Sequence, residues 1–130
     1  MATYTLTLNS DQARELRKAV ELLMRLKINQ PEEITRAVLD EMLEDKRIDI
    51  DTFCKRRDKA NNHLKAAFDA LFPHWGEIRK DKEWYQLYNI YQVVRYAIHE
   101  AENPEGKGVD SYPPTQFTDE PMPKCEWVKE

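Results

Sequence analysis

Proline constrains this chain more than any other residue type. Of its seven prolines, only Pro31 and Pro73 precede residue 100, while Pro104, Pro113, Pro114, Pro121 and Pro123 crowd towards the end. Proline lacks an amide donor and clashes with the preceding turn, so helix interiors reject it, although a first helical turn accepts it. The chain up to Pro104 can therefore carry long helices with two breaks, and the chain after it can carry none. Only 3 glycines and a charged fraction of 34% fit a helical protein with solvated outer faces. At 130 residues the chain has the size of one ordinary domain. A chain of that length buries roughly two thirds of its unfolded surface, so folding requires neither disulfide nor metal.

Hydrophobic spacing places the elements. Tyr4, Leu6 and Leu8 alternate with threonines, which predicts one short strand that must find a partner for its backbone groups. Ser10 is the expected N-cap of a first helix carrying Ala13, Leu16, Val20, Leu23 and Leu26 to about Lys27. Pro31, followed by Glu32 and Glu33, opens a second helix that ends near Asp45. Asp49 or Asp51 caps a third, whose first half is polar and whose second half carries Leu64, Phe68, Leu71 and Phe72 up to Pro73. A charged lead-in, 79–83, opens a fourth helix that runs to about Glu102. The expected fold is mainly α: about four helices, a short N-terminal β-strand and an extended Pro-rich C-terminal arm, with a small α+β arrangement as the variant. The domain division is 1–106 for the helical body and 107–130 for the arm. Val109, Tyr112, Phe117, Met122 and Trp127 make the arm too apolar for a purely solvated tail, so it is expected to pack on the domain or on a neighbouring subunit.

Several function classes drop out. The net charge is −4, and no Lys/Arg run stands free of acids, which argues against a track for long nucleic acid. No stretch approaches the roughly 20 apolar residues of a membrane span. The opening MATYTLTL has no basic region and no long apolar run, so no signal peptide is expected. Cys54 and Cys125 lack ligand spacing and read as two reduced thiols of a cytoplasmic protein. No phosphate-binding loop, dinucleotide fingerprint, nucleophile elbow or zinc-protease motif occurs, and His63, His74 and His99 lie on separate segments. No catalytic residue, metal site or cofactor is expected.

What remains is the stretch WYQLYNIYQVVR, 84–95. On a helix, Leu87, Ile90, Val94, Ala97 and Ile98 form an aliphatic stripe, and Trp84, Tyr88, Tyr91 and Arg95 form an aromatic one beside it. The aromatic stripe is either further core or the wall of a pocket or interface. As a wall it offers flat faces for stacking, the planar fork of Arg95 for phosphate and the amide of Gln92 for a base edge. Arg25 and Gln30 make a second polar cluster just before the second helix, whose unpaired N–H groups favour an anion.

Two blocks carry a family resemblance. The opening YTLTLNSDQARELRKAVELLMRLKINQPEEI resembles the start of a group of small phage proteins: a strand, then a long helix ending in an Arg-x-x-x-Gly-Gln turn and an acidic helix start. The block LYNIYQVVRYAIHEAENPEGKGVDSYPPTQFTDEPMPK is similar to that group's Tyr-Gln-Val-hydrophobic-Arg helix, its Pro/Gly break, its Val-Asp strand and its Glu-Pro-hydrophobic-Pro tail. Asn29 stands where the group has glycine, and Pro31 where an aromatic is common. The two blocks cover about half of the chain; residues 44–82 carry no likeness. Part of the group resembles the anti-CBASS sponges, non-enzymatic proteins that sequester cyclic dinucleotides such as 3′,3′-cGAMP. The resemblance implies a homo-oligomer, dimer or tetramer, in the cytoplasm of an infected bacterium. Its ligand would be held by Arg25, Gln30, Trp84, Tyr88, Tyr91, Gln92 and Arg95. The rival expectation is a small phage interaction or inhibitor protein with no nucleotide ligand.

Overall fold

The computed structural model describes residues 2–129. Four helices follow one another: α1 (Ser10–Lys27), α2 (Glu32–Glu44), α3 (Ile50–Leu71) and α4 (Lys82–Glu102). One-turn 3-10 helices lie at Trp75–Glu77 and Val109–Ser111. The protein is mainly α, as the proline pattern requires. Among the described residues there is no strand: residues 2–9 are irregular, with Tyr4 and Leu6 exposed. The predicted N-terminal strand fails because alternation alone supplies no partner ladder for its backbone groups. The predicted C-terminal arm is likewise no regular element, because proline-rich sequence removes the donors a ladder needs. Residues 113–129 carry neither helix nor strand and bend at 118–120.

Local chemistry sets each helix end. The cap of α1 is Asn9 rather than Ser10. Asn9 Oδ1 accepts the Gln12 amide at 2.8 Å, and Gln12 Oε1 accepts the Asn9 amide at 3.0 Å, a reciprocal capping box. At the other end of α1, the Gln30 amide donates to the Arg25 carbonyl at 2.9 Å and the Asn29 amide to that of Leu26 at 3.2 Å. This Schellman closure needs a left-handed residue, and Asn29 takes it with φ 59°. Asparagine is the non-glycine residue that best tolerates that region, which accounts for Asn29 in a glycine's place. The end of α2 repeats the motif. Arg47 donates to Met42 at 2.9 Å and Lys46 to Leu43 at 3.1 Å, with Lys46 left-handed at φ 57°. Lysine gains nothing there that glycine would not. Lys46→Gly should therefore raise stability by about 0.5–1 kcal/mol, read as a higher urea midpoint.

Asp49 caps α3, accepting the Thr52 amide at 2.7 Å. That bond holds the Asp49 carboxyl below its ordinary value. A lowered pKa means that ionised Asp49 stabilises the fold above the usual aspartate range, and the contribution fades as pH falls through the folded value. Asp49→Asn keeps a capping oxygen without the charge. Its melting temperature should fall below that of the parent at pH 7, and the gap should close as pH drops from about 5 to about 2. Asp81 caps the start of α4, accepting the Trp84 amide at 2.9 Å.

The chain groups into two compact units, one formed by residues up to Glu21 with Tyr85 onward, the other by Leu22–Trp84. This grouping differs from the division expected at 106/107. In the Leu22–Trp84 unit, α2 packs on α3. Thr35 and Leu39 are the buried residues of α2, and Thr35 Oγ1 donates to Asn61 Oδ1 at 2.6 Å. Met24 and Trp84 are buried in the same unit. The other unit buries Val20, Val94 and Ala97 together with four polar side chains of α4, Asn89, Gln92, Arg95 and His99. Ion pairs one helical turn apart, such as Lys18–Glu15 and Lys55–Asp51, decorate exposed faces and contribute little.

Candidate functional site

The seven residues expected to bind a ligand are divided between the two units. Arg25, Gln30 and Trp84 lie in one; Tyr88, Tyr91, Gln92 and Arg95 lie in the other.

On α4 the aromatic and polar side chains serve the C-terminal segment. Gln92 is 3% exposed. Its Nε2 donates to the Thr115 carbonyl at 2.9 Å, and its Oε1 accepts the Thr115 amide at 2.8 Å. One side-chain amide thus pairs with one backbone residue as a strand neighbour would. Arg95 is 4% exposed. Its fork donates to the carbonyl of Val109 and, at 2.9 Å, to that of Tyr112. Asn89, one turn earlier, donates to Thr118 Oγ1 at 3.4 Å. Positions 95, 92 and 89 of α4 thus meet segment residues 109–112, 115 and 118, so the segment runs antiparallel to the helix.

The tyrosines are also occupied. Tyr88 stacks with Tyr91 at 6.3 Å between ring centroids and tilts against Phe117 at 5.5 Å, while Tyr85 stacks on Phe117 at 5.6 Å. The Arg17 guanidinium lies 5.7 Å from the Tyr91 centroid and pairs with Asp110 at 3.0 Å. Arg14 reaches Glu102 at 2.6 Å. Tyr96, on the same helix, has its hydroxyl pKa raised by a hydrogen bond to Glu100.

Trp84 is core. Its Nε1 donates to the Met24 carbonyl at 3.1 Å, and Lys80 Nζ sits 4.9 Å from the ring centroid. Arg25 and Gln30 are brought together: Arg25 donates to Gln30 Oε1 at 2.8 Å across the α1 closure. Beside that closure opens a pocket of about 260 Å³, lined by Asn29, Pro31, Glu32, Asn61, Asn62, Lys65 and Asp69. Lys65 pairs with Asp69 at 3.3 Å on one wall. The start of α2 supplies another wall, where the Glu33 and Ile34 amides donate to the carbonyls of Gln30 and Pro31 at 3.4 and 3.0 Å.

Sequence reading missed Arg17, Asn89 and the pocket residues of α3. A signal for the last was present. Two adjacent asparagines, Asn61 and Asn62, are poor helix formers, and inside a helix they suggest a use other than propensity. For Asn89 the signal was its place one turn before Gln92. Among the described residues no three His, Cys, Asp or Glu side chains converge on a metal-sized site, and no helix is long and apolar enough to cross a membrane. Cys54 and Cys125 are unpaired thiols. No protein-family model, curated protein or solved structure matches the chain.

Proposed function

We propose that this protein is a non-enzymatic binder of a small nucleotide signal, a sponge for cyclic oligonucleotides of the kind its sequence resembles. The observation that carries the reading is the pocket beside the α1 closure, next to Gln30 and at the start of α2. Its side chains suit the task. The amides of Asn29, Asn61 and Asn62 can pair with base edges, and Glu32 and Asp69 can accept ribose hydroxyls. Lys65, which pairs with Asp69, is the cation of the lining that can meet a phosphate. At about 260 Å³ the pocket suits one half of a cyclic dinucleotide, with the other half outside it. Arg95 and Gln92 do not line this pocket; their donors hold the C-terminal segment.

The test is to incubate the protein with a panel of cyclic di- and trinucleotides, remove unbound ligand, heat-denature the protein and identify what is released. Intact nucleotide is the expected product; an altered nucleotide would make the protein an enzyme, and empty protein across the panel would end the proposal. Asn62→Ala and Lys65→Ala should each weaken capture at least ten-fold with unchanged melting, because both side chains are exposed. Undiminished capture in both would move the site elsewhere.

A second reading has its own support. α3 contains no buried residue, and Val38, Ile50 and Leu71 are each more than half exposed. Large apolar side chains left in water favour a protein partner, and an interaction protein without nucleotide ligand accounts for them. Empty protein across the nucleotide panel is the outcome that selects this reading.

A further inference from the structure

The polar face of α4 has the chemistry of a groove that reads an extended peptide. Its rungs, Asn89, Gln92 and Arg95, stand three residues apart, and most of their bonds go to backbone groups of the segment. A segment held this way is recognised by its conformation. Pro113 and Pro114 favour the polyproline geometry, which returns to the same side every third residue. Tyr112, Thr115 and Thr118 follow that spacing, and they are the residues the rungs meet. Tyr85 and Tyr88 supply the aromatic shelf common in grooves for such segments, here filled by Phe117.

The chain's own segment fills this groove incompletely. Asn89 makes only a long 3.4 Å bond to Thr118, and its Oδ1 is buried without a hydrogen-bond partner. Gln92, by contrast, uses both ends of its amide. The segment also leaves Val109, Tyr112 and Phe117 at 67%, 64% and 52% exposure. It is attached by polar bonds and buries little apolar surface. The link from α4, residues 103–108, contains Pro104, Gly106 and Gly108, the last at φ 118°.

We propose that α4 docks residues 109–118 of a second copy of the chain, so that two copies exchange C-terminal segments. Docking within a chain and docking between chains use the same rungs, so the bonds themselves do not favour the intramolecular form. A segment arriving from another copy is free of the 103–108 link. It can seat deeper along α4, give Asn89 Oδ1 a donor and cover its apolar side chains against the second copy. The proposal does not depend on nucleotide binding.

The test measures the solution mass of the full chain by light scattering at tens of micromolar, alone and with excess synthetic peptide of residues 108–120. The expected result is a two-chain mass that falls to one chain plus one peptide. A control peptide N-methylated at Thr115 lacks the proton that Gln92 accepts and should need at least ten-fold more to act. A one-chain mass at every concentration would overturn the proposal, and so would a two-chain mass indifferent to the peptide. The full chain with Gln92→Ala should lose the two-chain form. The peptide arm of the experiment stands even if that variant folds poorly.

Discussion

Arg95→Ala is expected to lower unfolding stability by about 2–3 kcal/mol and to release the C-terminal segment while the four helices persist. The side chain is buried, and its fork serves the carbonyls of Val109 and Tyr112. A hydrogen bond to a charged group contributes about 1.5–3 kcal/mol, and a buried acceptor left alone costs about 1–3 kcal/mol. Two such bonds would set the loss higher, but Val109 and Tyr112 are largely exposed, so water takes over part of the pairing. Arg95→Lys should recover no more than half of the loss, because an ammonium cannot present the planar fork that spans two carbonyls. Urea unfolding measures the loss. Limited trypsin digestion locates it, since Lys107 lies at the start of the segment and should be cut faster in the variant. An unchanged urea midpoint together with unchanged cleavage at Lys107 would mean that the fork does not hold the segment.

Trp84→Ala should cost more, about 3–5 kcal/mol, the range for deleting a buried aromatic side chain. Against a typical domain stability of about 5–15 kcal/mol, this brings the protein close to unfolding. The indole has a second role that Trp84→Phe isolates. Met24 belongs to the last four residues of α1, whose carbonyls have no partner within the helix. Trp84 Nε1 supplies the missing donor at 3.1 Å. Phenylalanine fills much of the space but cannot donate, so Trp84→Phe should lose about 1–2 kcal/mol and sit between the parent and the alanine variant. Denaturant midpoints of the three proteins give the order. Equal loss in the two variants would assign the whole effect to the hydrogen bond, and no loss in Trp84→Phe would assign it all to packing.

The helices were legible because they rest on local chemistry. Pro31 and Pro73 punctuate them, Asp49 caps α3, and the apolar spacing between carries the rest. The caps moved by no more than a residue, as Asn9 displaced Ser10 once Gln12 completed the box. The N-terminal strand was misread because alternation at Tyr4, Leu6 and Leu8 reports propensity, and a strand also needs a ladder partner that no local pattern specifies. The aromatic stripe of α4 was visible as a stripe, but its role was not. Periodicity says which side chains share a face and is silent on what covers it. Gln92 and Arg95 look the same in sequence whether they await a ligand or clasp Thr115 and Tyr112. The burial of a charged residue that sequence reasoning would leave at the surface depends on a segment more than ten residues further along. The pocket on α3 was illegible for a related reason: its walls come from Asn29 and from Lys65, and only the packing of α2 on α3 places them together.

The polar face of α4 clasps the C-terminal segment, and the amide proton of Thr115 probes that clasp most directly. Gln92 Oε1 accepts that proton at 2.8 Å in a stretch with no helix or strand to protect it. Residue-resolved hydrogen exchange should find the Thr115 amide protected in the parent. In Gln92→Ala it should exchange at least ten-fold faster, with the amides in the middle of α4 unchanged. A Thr115 amide that exchanges at the rate of an unstructured peptide in the parent protein would contradict the account.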